Sequence, residues 1–222
     1  MAGTGVILNF YIVAVMGVEA LGIFNQTYAI FVVVGQLATL GIHDSTQKHI
    51  AEHGEALATL RSAISTGAVQ AAALFGFLSA LILYLAADGI GIAFESDAVG
   101  TSVAFIAPGV GLFAFNKTLM GILNGQRRMR EFALAQSLRV MAILLFCISV
   151  GIIGADAAYL GLGFTVAEAV LLPLLLVFVR PRWRQMDKET FAWIGRHARF
   201  GCKALTNGIL AEAYIRIDVI ML

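Results

Sequence analysis

Lys117, Glu168, Lys203, Glu212, Arg216 and Asp218 are ionisable residues set inside long apolar runs. An ionisable side chain at membrane depth is costly unless paired or hydrated, so each is a candidate for binding or moving charge. Lys117, beside Asn116, has no acid one turn away in its own segment. It reads as lining a wet cavity. Glu168 likewise has no partner within a turn and reads as a coupling or charge-balancing carboxylate. Glu212 and Arg216, four apart, share a helical face and can pair. Asp218 points about 200° away from Arg216 on the same helix. Lys203, near a helix end, can snorkel to the interface.

His49, Glu52 and His53 spell H-x-x-E-H, the inverted zincin pattern. On a helix the two histidines share a face, as zinc ligands must. No third ligand with a matching helix is identifiable, and residues 43–55 have the polarity of a solvated connection. The match is therefore read as fortuitous, and no metal or other cofactor is expected. The sequons Asn25-Gln26-Thr27 and Asn116-Lys117-Thr118 lie at or within apolar runs, where no acceptor is usable. Gly109-Val110-Gly111 has no preceding strand to make a phosphate loop. Catalysis has little to stand on.

The elements that position these groups follow from composition. Of 222 residues, 59% are hydrophobic and 13% charged, with a mean hydropathy of +0.87. Soluble domains carry about 25% charge, so this chain cannot clothe a water-soluble core. Disorder, which needs low hydrophobicity and high net charge, is excluded too. A net charge of +1 gives no footprint for nucleic acid. Cys147 and Cys202 both fall in apolar stretches and read as buried small hydrophobes.

A spanning helix needs about 20 mostly apolar residues. Seven such runs occur, at 3–18, 23–42, 62–87, 102–123, 134–153, 159–179 and 200–222. Backbone groups in lipid must bond within their own segment, so all are expected to be helices. Strand alternation is absent, which argues against a barrel. The fold class is all-α integral membrane, a polytopic helical bundle of about seven transmembrane helices. The uncharged first run reads as a short span with residues missing at its start.

Charge sorts the connections. The stretches 43–61, 124–139 and 180–199 hold 12 of the 15 basic residues, while the alternate connections hold only acids. The positive-inside rule puts the basic loops and the amino terminus in the cytoplasm. The expected organisation is an amino-terminal lobe over 1–179, a basic cytoplasmic linker over 180–199 and a seventh span over 200–222. That span stops in the middle of an apolar helix, which reads as a truncation. Pro108 and Pro173 interrupt the fourth and sixth spans. Broken helices of this kind line substrate paths in some transporters and merely kink in others. Gly121 and Gly125 form a GxxxG pair suited to close helix packing.

Several stretches together resemble a known family. They are Asn25-Gln-Thr-Tyr-Ala-Ile-Phe, Leu40-Gly-Ile-His, Asn116-Lys-Thr-Leu-Met-Gly-Ile-Leu-Asn-Gly-Gln-Arg-Arg-Met, Phe200-Gly-Cys-Lys-Ala-Leu-Thr-Asn-Gly and Arg216-Ile-Asp-Val-Ile-Met-Leu. In order and placement they are similar to the O-antigen-flippase-like, polysaccharide-biosynthesis branch of the multidrug/oligosaccharidyl-lipid/polysaccharide exporter superfamily. The resemblance implies a MATE-like amino-terminal lobe plus the first helix of a second lobe, working by alternating access in the inner membrane. It implies a lipid-linked saccharide with a phosphate or pyrophosphate headgroup as cargo, and membrane lipids and polysaccharide-assembly proteins as partners. Lys117, Arg216 and Asn116 would then line the cationic cavity, with Glu168, Glu212 and Asp218 for coupling or charge balance. The rivals are a multidrug or ion exporter of the same superfamily, an intramembrane metallopeptidase on His49, Glu52 and His53, and a non-transporting scaffold or fragment.

Overall fold

The computed structural model describes residues 2–53, 58–180 and 187–220, with side chains for 4–53, 58–180 and 187–204. Every regular element among them is helical. The order is α1 (Ala2–Met16), α2 (Val18–Thr39), α3 (Ile42–Glu52), α4 (Ala58–Ala93), α5 (Asp97–Gly125) and α6 (Met129–Ile152). A 3₁₀ turn (Ala157–Gly161) then leads into α7 (Leu162–Val179), and α8 (Lys188–Ile220) follows.

Each of the seven apolar runs falls on one of these helices. Val18–Thr39, Ala58–Ala93, Asp97–Gly125, Met129–Ile152 and Ala157–Val179 are long and apolar enough to cross a membrane, and Thr4–Met16 is a shorter apolar helix. The 36 residues of α4 extend about 54 Å at 1.5 Å per residue. That exceeds a hydrocarbon core of about 30 Å, so α4 must tilt or project beyond it. Phe77, Ile82, Leu85 and Ile92 are exposed along α4, and Ile7 and Phe10 along α1. A broad exposed apolar surface of this kind suits lipid rather than water.

The central helix is α5, packed against α2, α3, α4 and α7. Its start is fixed by Ser96, whose hydroxyl accepts from Val99 N at 3.3 Å, an ordinary N-cap. One core runs through α2, α5 and α7 with Phe24, Phe31, Ile106, Val110 and Phe164. Another, nearer the basic ends, gathers Leu119, Leu123, Leu171 and Leu175.

The stretch 43–61 is not the solvated connection its polarity suggested, because it contains α3. Ile42, Ser45, Thr46 and Ile50 are buried on one face. The small hydroxyl residues hide there because they are satisfied: Thr46 Oγ1 donates to Ile42 O at 2.7 Å. Gly121 and Gly125 of α5 make room for this helix. A Cβ at those positions would stand 2.6 Å from His43 O and 2.7 Å from Gln47 O. Gly41, with φ of 62°, turns α2 into α3 at a point where a Cβ would lie 2.6 Å from Gly201 O. Only glycine meets both demands.

Two further expectations are corrected. Cys147 is buried, but Cys202 is exposed, since α8 turns Thr190, Trp193, His197 and Gly201 inward instead. That helix begins at Lys188, inside the stretch assigned to a linker. The side chains of Glu212, Arg216 and Asp218 lie outside the described residues.

Candidate functional site

Glu168 of α7 is 1% exposed, and Arg139 of α6 reaches it with Nε 2.6 Å from Oε1. Arg139 Nη2 donates to Glu168 Oε2 at 3.2 Å, and Nη1 donates to Gln136 Oε1 at 3.0 Å. Asn116 of α5 is fully buried and donates its amide to both Glu168 Oε2 and Glu168 O at 2.8 Å. An isolated carboxylate this deep would carry a prohibitive desolvation cost. Here a guanidinium and an amide from two other helices share its charge.

Lys117 is one residue along α5 and points to another side. Its Nζ donates to Gln36 Oε1 of α2 at 3.0 Å and lies 5.2 Å from the centre of the Phe113 ring. Arg139 Cζ lies 5.1 Å from the same ring. Two cations from different helices thus meet on one aromatic ring, a contact that strengthens where water is scarce. Lys117 also acts on α3. Burial, aided by the Lys117 charge, pushes the His43 imidazole down to about 3. Burial raises the neighbouring Asp44 carboxyl, while Lys117 opposes that rise.

Above this pair the rings continue. Phe113 meets Phe31 edge-on at 5.4 Å, Phe31 stacks on Phe164 at 4.9 Å, and Phe164 stacks on Phe24 and Tyr28 at 5.6 and 5.7 Å. Phe164, Phe24 and Tyr28 line a groove of about 350 Å³ between α1, α2, α6 and α7. Thr4, Asn9 and Asn25 add polar groups to its wall, and Val140, next to Arg139, closes one side. The groove wall is aromatic and amide-lined, and its Phe164 ring is joined through Phe31 to the Phe113 ring that the two cations flank.

Depth follows from helix arithmetic. Lys117, Arg139 and Glu168 stand 8, 10 and 11 residues from Gly125, Met129 and Val179, the ends of α5, α6 and α7 on the basic side, which is about 12–17 Å at 1.5 Å per residue. That is about half a hydrocarbon thickness. Those three ends meet at the basic pole, where Arg61, Gln126 and Arg180 line one shallow pocket and Arg128 Nη1 donates to Phe178 O at 2.8 Å.

The prolines flank this site, and beside each break, one residue from the carbonyl it frees, a side chain of the other helix adds a hydrogen bond. Pro108 removes the N–H that the carbonyl four residues earlier would receive. Beside that gap, Thr165 Oγ1 of α7 donates to Phe105 O at 2.6 Å. Pro173 breaks α7 in the same way, and the Asn116 amide answers Glu168 O in the preceding turn. Neighbouring polar side chains are what make such breaks tolerable in lipid.

The chain matches the family model described as polysaccharide biosynthesis protein over residues 2–222. It belongs to that family. With its long apolar helices, this polysaccharide biosynthesis protein is a multi-pass membrane protein. Among curated proteins and solved structures, none matches the chain.

Of the residues singled out from the sequence, the structure of this family member brings Asn116, Lys117 and Glu168 into one neighbourhood. Asn116 and Glu168 face the closed seam between α5, α6 and α7, while Lys117 faces α2 and α3. Lys203 is exposed near the described end of α8. His49, Glu52 and His53 do converge, with ligand atoms within 4.8 Å of one another. Arg139 was missed. It lies in both the apolar run 134–153 and the basic stretch 124–139, and reads as loop charge in sequence, whereas α6 begins at Met129 and carries it ten residues into the helix. A lone acid in the sixth span was the available signal that a deep cation had to exist elsewhere.

Proposed function

We propose that this chain forms the amino-terminal lobe of a flippase that carries lipid-linked saccharides across the cytoplasmic membrane by alternating access. Family membership supports the polysaccharide setting. The observation that carries the mechanism is that Lys117 and Arg139 both lie within about 5 Å of the Phe113 ring at membrane depth, with an aromatic groove nearby along the same ring stack. A sugar presents apolar C–H faces that stack on rings such as Tyr28, and hydroxyls that amides such as Asn9 and Asn25 can bond. A phosphate or pyrophosphate demands a cation when it leaves water. The groove offers the rings and amides, and Lys117 and Arg139 offer the cations.

In this reading Lys117, held against Gln36, meets the headgroup. Arg139 is held in place by Glu168, and Asn116 fixes Glu168, so those two act as positioning and charge-balancing groups. Arg216 is proposed as a second cavity cation, with Glu212 and Asp218 as coupling candidates, on the sequence resemblance alone. The basic pole faces the cytoplasm under the positive-inside rule. A drug or cation exporter would instead favour an acidic cavity, and the pairing of Glu168 with Arg139 speaks against it.

The test is a flipping assay in liposomes with the intact protein and a lipid-pyrophosphate saccharide. Losing a charged hydrogen bond costs about 1.5–3 kcal/mol, so Lys117→Ala should cut transport by at least about tenfold. Unchanged turnover in a Lys117→Ala, Arg216→Ala double variant would overturn the cationic-cavity assignment.

A further inference from the structure

We propose that His49, Glu52 and His53 form a binding site for one zinc-class divalent ion at the basic pole. The three ligand atoms lie within 4.8 Å of one another at the last turn of α3. His49 Nδ1 and Glu52 Oε2 are already 3.2 Å apart. A tetrahedral zinc bound at about 2.0–2.2 Å holds its N and O ligands about 3.3 Å apart. This pair therefore stands at chelating distance, and His53 has to close by no more than about 1.5 Å to complete three ligands.

The surroundings suit a metal in three ways. His53 Nδ1 lies 3.0 Å from His49 O. If it donates there, as metal-bound histidines commonly do, Nε2 is left with its lone pair for an ion. Glu52 is about half exposed and meets Lys48 only through Oε1, at 3.7 Å, so Oε2 can turn to a cation. The ring of His49 is walled by Trp193, His197 and Phe200 at 5.1, 5.9 and 6.0 Å, which restrains its rotation.

The site differs from the peptidase that the motif would suggest. His197, the nearest further imidazole, spends Nδ1 on Ser45 Oγ at 2.9 Å and Nε2 on Ile64 O at 3.1 Å. It therefore does not supply a third histidine. What a bound ion does here is fasten His53, the residue that ends α3, to the turn before it. The His53 ring also lies 6.1 Å from Trp193 of α8, so fastening it steadies the contact between the two helices.

The experiment uses the purified chain in detergent, stripped with chelator and titrated with Zn²⁺ alone and with Co²⁺ alone. One equivalent is expected to bind, and Co²⁺ should give the visible absorption of a four-coordinate site. Loss of a direct ligand should weaken binding at least as much as the roughly 10–100-fold that follows loss of a supporting hydrogen bond. His49→Gln, His53→Gln and the surface variant Glu52→Gln should each do so, while Cys202→Ser should not. Circular dichroism and gel filtration confirm that each variant is folded. Absence of stoichiometric binding, or binding unchanged in the three ligand variants, overturns the site.

Discussion

Glu168 and Arg139 make the sharpest prediction about what holds this bundle together. The carboxylate is 1% exposed and the guanidinium side chain 12%, so water can rescue neither when its partner is removed. Removing one member of a buried ion pair costs about 3–5 kcal/mol, because the other charge is stranded. Glu168→Gln keeps the shape and the bond from Asn116 but leaves Arg139 uncompensated. Arg139→Met keeps the volume and leaves Glu168 with the Asn116 amide. Each should therefore lose about 3–5 kcal/mol, or about 6–20 °C in melting temperature for a chain of this size. The double variant carries no stranded charge and should return to within about 1 kcal/mol of the parent, a coupling well beyond the additive expectation. Thermal unfolding in detergent, followed by tryptophan fluorescence, measures all three. Single losses below about 1 kcal/mol, or a double variant equal to the sum of the singles, would refute the claim that the pair neutralises a buried charge.

Three other outcomes follow from the packing. Gly125→Leu should destabilise by about 1–3 kcal/mol or more through overpacking, because its first side-chain carbon meets Gln47 O and Ile50 at 2.7 and 2.9 Å; the same melts read it. Thr165→Val, which keeps the volume but drops the hydroxyl on Phe105 O, should cost about 1 kcal/mol and speed hydrogen exchange near Pro108. The melting temperature should also fall with acid. The His43 imidazole is held down to about 3 by burial and Lys117, against an ordinary value of about 6.5. The unfolded chain therefore binds the proton first, so the stability from a neutral His43 is complete above about pH 6.5 and drains away as pH falls toward 3. His43→Gln should flatten that slope in melts run across the range.

The spans could be read directly because burial in lipid leaves a local mark, an unbroken apolar run on each helix. Their ends were harder. Arg130, Arg139 and Gln136 sit on the first three turns of α6, and their polarity disguised helix as loop. The same disguise hid α3, whose inward face is half hydroxyl, Thr46 satisfied by its own backbone and Ser45 by His197. The site was legible as single residues and not as pairs. Glu168 finds its cation 29 positions back in the chain and Asn116 finds its acceptor 52 positions ahead. No periodicity within one helix reports such partners. The H-x-x-E-H spelling shows the reverse, a pattern set aside on sequence grounds whose members stand close together in space.

The exchange between the two proline-broken helices has a mechanical outcome. Each lends the other a hydrogen bond beside its break, one from a hydroxyl and one from an amide, at points three residues apart along α7. A bend at either proline that parted α5 from α7 would have to break one of these bonds, so the two breaks are coupled to one another rather than independent.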